Sequence, residues 1–267
     1  MALSLDDAIR VTGEVGFPAI ELACRWPHLD LQTALSATDQ IADSIRRAGL
    51  EVSALSLYNS FTLRETLDEQ CAAALRFIFL APEFGTGVVK LTPGAPGSVE
   101  ATEENWRCLG EALDRLVPAA EQVGVRLAFE THMRQLTDTV GSAARLLNMA
   151  KSDTVGLTVD FSNLAFAGDD PVRAVEIVGP RIYNTHIKNG YVGANGEWHF
   201  QAIDRGLTDY AAVLPALQAA GYHGYLTIEC LGPDAKERPA DAARRDLAIL
   251  EDYCAMLDIA AVTGGVS

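Results

Sequence analysis

Residues 124–132 read GVRLAFETH. A glycine able to end a preceding helix is followed by a short run from Val125 to Phe129, broken only by Arg126, and then directly by Glu130, Thr131 and His132. A run of that length bounded by a turn residue is a strand candidate, and the carboxylate at its end stands where the chain leaves the sheet. The same grammar recurs in VGLTVDFSN at 155–163, YNTHIKNG at 183–190 and GYHGYLTIE at 221–229.

Working outward, seven strands are predicted, at Phe17–Ala23, Val52–Tyr58, Gly87–Thr92, Val125–Thr131, Val155–Phe161, Arg181–Ile187 and Tyr225–Cys230. Their starts lie roughly 26 to 44 residues apart, enough each time for one strand, one helix and two loops. About eight helices are expected, near 5–15, 32–48, 66–83, 102–123, 140–151, 171–178, 208–220 and 240–257. The clearest is 102–123, where Trp106, Leu109, Leu113, Leu116, Ala120 and Val123 recur at three- and four-residue steps, with Thr102 to cap it and Gly124 to end it. Ser4 with Asp7 three residues later makes a capping-box-like start for the first helix. The unpaired element is thus an N-terminal helix. The economical architecture is α/β, a (β/α)8-type TIM barrel over residues 1–267 as a single domain, lacking the first β-strand. The strands at 17–23 and 225–230 should flank the vacant position, with a loop or a partner chain covering the gap, and a homo-oligomer would follow from the latter. No G-x-G-x-x-G follows a strand, which argues against an open dinucleotide-binding sheet.

Composition narrows the partners. The 267 residues carry 21 Lys and Arg against 36 Asp and Glu, a net charge of −15, which repels phosphate backbones and anionic lipid heads. Neither nucleic acid nor membrane is an expected partner. MALSLDDAIR is not the start of a signal peptide, and Cys24, Cys71, Cys108, Cys230 and Cys254 are scattered and odd in number. They read as reduced thiols of a cytoplasmic protein.

At the mouth of such a barrel the strand ends converge. Glu130, Asp160, His186 and Glu229 each end an apolar strand candidate at nearly the same depth. Three carboxylates and an imidazole brought to one point repel one another unless a cation lies between them, so the set predicts one divalent metal ion. Oxygen-rich ligation with one nitrogen suits Mn²⁺ or Mg²⁺, with Zn²⁺ or Co²⁺ as alternatives. Strand alternation places His132 on the face of Glu130 and Lys188 on the face of His186, as further acid/base candidates. The loop 189–206 is a plausible lid, and Trp26, Tyr58, Phe61, Trp198 and Phe200 are available as walls for a sugar ring.

Together GFPAIEL (16–22), GVRLAFETH, VGLTVDFSN, YNTHIKNG and GYHGYLTIE resemble the xylose isomerase-like barrel superfamily, which holds sugar isomerases and epimerases, inosose dehydratases and apurinic-site endonucleases. The resemblance covers nearly the whole chain. It implies metal ligation by Glu130, Asp160, His186 and Glu229, with Glu130 and Glu229 as the acid/base pair. Ketose epimerases of the family carry a histidine where this chain has Asn163, and the endonucleases need histidines where it has Tyr58, Asn59 and Thr92. The leading expectation is a metal-dependent isomerase or epimerase of a small sugar or keto-polyol, acting through an enediolate. The alternatives are a dehydratase (lyase) of a keto-sugar or keto-inositol on the same metal site, and a catalytically idle barrel that binds a sugar or a partner.

Overall fold

The computed structural model describes residues 3–259. Its chain order begins with helix α1 (Leu5–Val15), then β1 (Ala19–Ala23), α2 (Leu31–Arg47), β2 (Glu51–Ser56), α3 (Leu67–Leu80), β3 (Val88–Leu91), α4 (Glu103–Val123) and β4 (Arg126–Glu130). It continues through α5 (Val140–Ala150), β5 (Val155–Asp160), α6 (Phe161–Ala167), α7 (Pro171–Val178), β6 (Ile182–Ile187), β7 (Asn189–Val192) and β8 (Trp198–Gln201). The last elements are α8 (Tyr210–Ala219), β9 (Leu226–Ile228), α9 (Pro233–Glu237) and α10 (Pro239–Met256).

The expected start and stop signals operate. Ser4 Oγ accepts from the Asp7 amide at 3.2 Å, opening α1. Thr102 and Asn105 form a reciprocal capping box at α4, and Gly124 closes that helix at a φ of 70°. Gly124 thereby turns the chain straight into β4, the segment whose grammar fixed the reading.

Seven parallel strands form one sheet in the order β1-β2-β3-β4-β5-β6-β9. This is the barrel wall expected, with one strand position missing between β9 and β1, which are not paired with each other among the described residues. Among the described residues the gap is covered by helices and not by the loop expected. Helices α1 and α10 pack together across it. Behind them lies a cavity of about 600 Å³ lined by Leu5 and Ala8 of α1, Leu247 and Leu250 of α10 and the free edges of β1 and β9, and it runs on to Glu21, His186 and Glu229 at the mouth. The helix layer can bridge the gap because one helix precedes β1 and another follows β9, so both neighbours of the vacant position are supplied by the chain itself.

Among the described residues there are ten α-helices rather than about eight. The additional ones are α6, capped at its start by Asp160, and the single turn α9 ahead of α10. The loop 189–206 folds into an antiparallel hairpin, β7–β8. No described helix is long and apolar enough to cross a membrane. The core between sheet and helices is continuous, from Leu22 and Leu55 through Leu91, Leu127, Phe129 and Leu157 to Ile187.

Candidate metal centre

Register decides which polar side chains meet. In the β5/β6 ladder Asp160 lies opposite His186, and in the β6/β9 ladder His186 lies opposite Thr227, two residues before Glu229. In the β4/β5 ladder Glu130 lies opposite Thr158, which shares a face with Asp160. The four strand ends therefore deliver their side chains to one region inside the mouth.

Glu130, His186 and Glu229 each direct a ligand atom to within 4.8 Å of the others, and such a trio can hold an ion. His186 Nδ1 lies 3.3 Å from Glu130 Oε1 and 3.5 Å from Glu229 Oε1. Asp160, the expected fourth ligand, stands outside this trio. Its Oδ1 caps α6 by accepting from the Asn163 amide at 2.9 Å, while its Oδ2 faces Lys188 Nζ at 2.7 Å. Lys188 Nζ also donates to Glu229 Oε2 at 2.7 Å, so one ammonium bridges the two carboxylates. Asp160 Oδ2 is buried and ion-paired to that ammonium, which leaves further lone pairs on the carboxylate unused. A buried carboxylate oxygen with spare lone pairs beside a Glu–His–Glu trio fits a divalent cation with oxygen-rich ligation.

His132 stands apart from the trio, half-buried, with Nδ1 at 2.9 Å from its neighbour's carbonyl, Met133 O. Of the proposed aromatic walls, Phe61 is core, packed edge-on to Phe129, and Trp26 is exposed. Tyr58 and Phe200 lie near the two buried lysines, with ring centroids 4.6 Å from Lys90 Nζ and 5.7 Å from Lys188 Nζ. Phe200 sits on the β7–β8 hairpin, so the expected lid segment does reach the site.

Two residues of the cluster escaped the sequence reading. Lys90, on β3, pairs with Glu130 Oε2 at 2.5 Å, with both side chains almost wholly buried. A lysine in VVKL reads as a solvated strand residue, and no local signal separates that from an inward-facing one. Glu21, on β1, accepts from His186 Nε2 at 2.9 Å and from Asn184 Nδ2 at 2.8 Å. Its signal was present, because PAIEL has the same form as LTIE, a carboxylate at the end of an apolar strand.

These charges set each other's protonation. Burial alone would raise Glu130, but the Lys90 charge and then the His186 hydrogen bond hold it well below the ordinary carboxylate range. Burial likewise opposes ionisation of Glu229, yet Lys188 and then His186 lower it to about 2. For Asp160 burial prevails over the attraction of Lys188, and its carboxyl is raised. His186 is pushed down by burial but driven well above its usual value by Glu21 and Glu229. Without a metal ion, then, two ammonium groups and an imidazolium neutralise most of the four carboxylates.

The chain belongs to the xylose isomerase-like TIM barrel family, whose model matches residues 9–253. An inosose dehydratase of Lacticaseibacillus casei is 27% identical over 156 residues, 53% of this chain and 52% of that protein, so the matched stretch spans about half its length. The 3-dehydroshikimate dehydratase of Bacillus anthracis is 20% identical over 249 residues, 88% of each chain. Among solved structures, the IOLI protein with a bound zinc atom superposes with a TM-score of 0.82 at 19% identity, covering 96% of this chain and 95% of the other.

Proposed function

We propose that this protein is a divalent-metal-dependent dehydratase of a small polyhydroxylated carbonyl compound, such as a keto-inositol or keto-sugar. The observation that carries the reading is the inequality of the two glutamates. Glu130 has a side chain 3% exposed and tied to Lys90, whereas that of Glu229 is 31% exposed and has an ammonium at 2.7 Å. Epimerisation by proton exchange calls for two competent carboxylates on opposite faces of the substrate. Elimination of water calls for one base and a neighbouring acid, which is what Glu229 and Lys188 offer. The two dehydratases among the relatives support the same choice.

Glu130, His186 and Glu229 would hold the cation, with Asp160 Oδ2 as a fourth donor. A divalent cation there supplies Lewis acidity, polarising the substrate carbonyl and acidifying the adjacent C–H. Glu229, the exposed carboxylate, takes that proton. Lys188 stands beside it to protonate the departing β-hydroxyl, and its ammonium gives up a proton more readily once Asp160 and Glu229 are shared with a cation. Phe200 offers an apolar face to a ring, whereas the Tyr58 ring is engaged by the Arg25 guanidinium, 3.9 Å from its centroid, and by Lys90. His132 is the second acid available on the Glu130 side.

The test is incubation of Mn²⁺- or Co²⁺-loaded protein with keto-inositols, keto-sugars and dehydroshikimate in deuterated water, read by mass spectrometry. Loss of the elements of water from one of them is expected. Unchanged composition with deuterium taken up at carbon would make the protein an isomerase or epimerase. Turnover of none of them, with no metal bound, would favour an idle barrel.

A further inference from the structure

We propose that Glu21 is the positioning residue of the centre, fixing the ring of His186 so that Nδ1, and not Nε2, is offered to the metal ion. The proposal rests on the metal-site reading above. A neutral imidazole has one donor and one acceptor nitrogen, and a ligating histidine must present the acceptor; the partner of the other nitrogen decides which tautomer forms.

In His186 the two nitrogens meet different surroundings. Nδ1 faces Glu130 Oε1 and Glu229 Oε1, the side on which three ligand atoms converge. Nε2 faces Glu21 Oε1 at 2.9 Å, on the opposite side of the ring. Both oxygens of Glu21 face donors, Oε1 the His186 ring and Oε2 the Asn184 amide, so the carboxylate is the acceptor in both bonds. The proton is therefore held on Nε2.

Glu21 is itself oriented. Its second oxygen accepts from Asn184 Nδ2 at 2.8 Å, and Asn184 Oδ1 accepts in turn from Thr227 Oγ1 at 3.4 Å. Glu21 belongs to β1 and its partners to β6, two strands that are not neighbours in the sheet. The chain of bonds Thr227–Asn184–Glu21–His186 thus spans the interior across the missing strand position, tying the free edge of β1 to the centre. The carboxylate lies outside the convergent trio, so it acts through His186 rather than as a ligand.

The experiment compares wild type, Glu21→Ala, Glu21→Gln and His186→Ala after chelation, titrated with Zn²⁺ and Co²⁺ by calorimetry. The long-range ¹H–¹⁵N spectrum of the zinc-loaded wild type is recorded alongside. Glu21→Ala should bind about 10- to 100-fold more weakly than wild type. Glu21→Gln keeps an acceptor but loses the charge, and should fall between them. His186 should show a protonated Nε2 and a metal-bound Nδ1. Affinities within about twofold of wild type in both Glu21 variants, or a metal-bound Nε2, would overturn the proposal; if Glu21→Ala does not fold, Glu21→Gln decides alone. Wild type that binds neither ion, or His186→Ala that binds like wild type, overturns the metal-site reading and this proposal with it. A normal response to His186→Ala with unchanged Glu21 variants sinks this proposal alone.

Discussion

His186 divides the mouth of the barrel into two unlike halves. On the side of β3, β4 and β5 the strands are continuously paired, and Glu130 and Asp160 are almost wholly buried. On the side of β9 and β1 the ladder is interrupted, and Glu229 and Glu21 have side chains 31% and 10% exposed. Carboxylates of one cluster thus live in two environments. A complete ladder excludes water and requires an ammonium for its buried glutamate, whereas the gap leaves a carboxylate partly wet beside its ammonium.

The comparison breaks most visibly at Lys90. Lys90→Met should destabilise metal-free protein by about 3 kcal/mol, because Glu130 loses the nearer of its two cationic partners and keeps only His186 in a buried site. Added Mn²⁺ should recover part of this by giving Glu130 a new partner, as read by denaturant unfolding with and without the ion. Equal stability of the variant and wild type without metal would show that Glu130 does not depend on the lysine.

On the open half, Glu229→Gln retains an oxygen donor and removes the base. Turnover should fall by roughly 10²-fold or more while Mn²⁺ still binds. Activity within a few-fold of wild type would move the proton transfer elsewhere, and extraction of the ion with a chelator should abolish turnover in both proteins.

Acid should also distinguish the halves. A carboxyl whose folded pKa is depressed contributes stability above its unfolded value and loses it as pH falls through the folded one. Glu229, lowered from 4.5 to about 2, should therefore contribute fully above about pH 5 and progressively less towards pH 2 in chelator-treated protein. Asp160 is raised and works in the opposite sense, so the measured loss is net of it. Urea unfolding of wild type and Glu229→Gln between about pH 5 and pH 3 checks this, with a shallower slope expected for the variant.

The smallest effect is expected in the gap itself. Ala243 of α10 lines the helix wall of the cavity, and Ala243→Leu adds methylenes beside Leu247 and Leu250, away from its polar end at His186 and Glu229. A stabilisation on the order of 1 kcal/mol, with turnover little changed, should show in thermal unfolding and steady-state rates. Loss of turnover would instead make the cavity part of the substrate's path.

Much of this was legible in the chain. Ser4 with Asp7, Thr102 with Gly124, and the apolar runs ending in Glu130, Asp160 and His186 are local signals, in which hydrogen bonds and burial periods act over a few residues. From them came the seven parallel strands, the vacant first position and an expected meeting of Glu130, Asp160, His186 and Glu229, of which the structure groups all but Asp160. Tertiary structure decided what local patterns do not encode. Lys90 turns inward to Glu130, Lys188 separates Asp160 from the trio, Glu21 reaches across the barrel to His186, and α1 meets α10 over the gap. Each of these joins segments far apart in the chain, and each depends on strand register and the packing of the helix layer. A charged residue in a strand carries no mark of its future partner until the sheet curves and brings the two together.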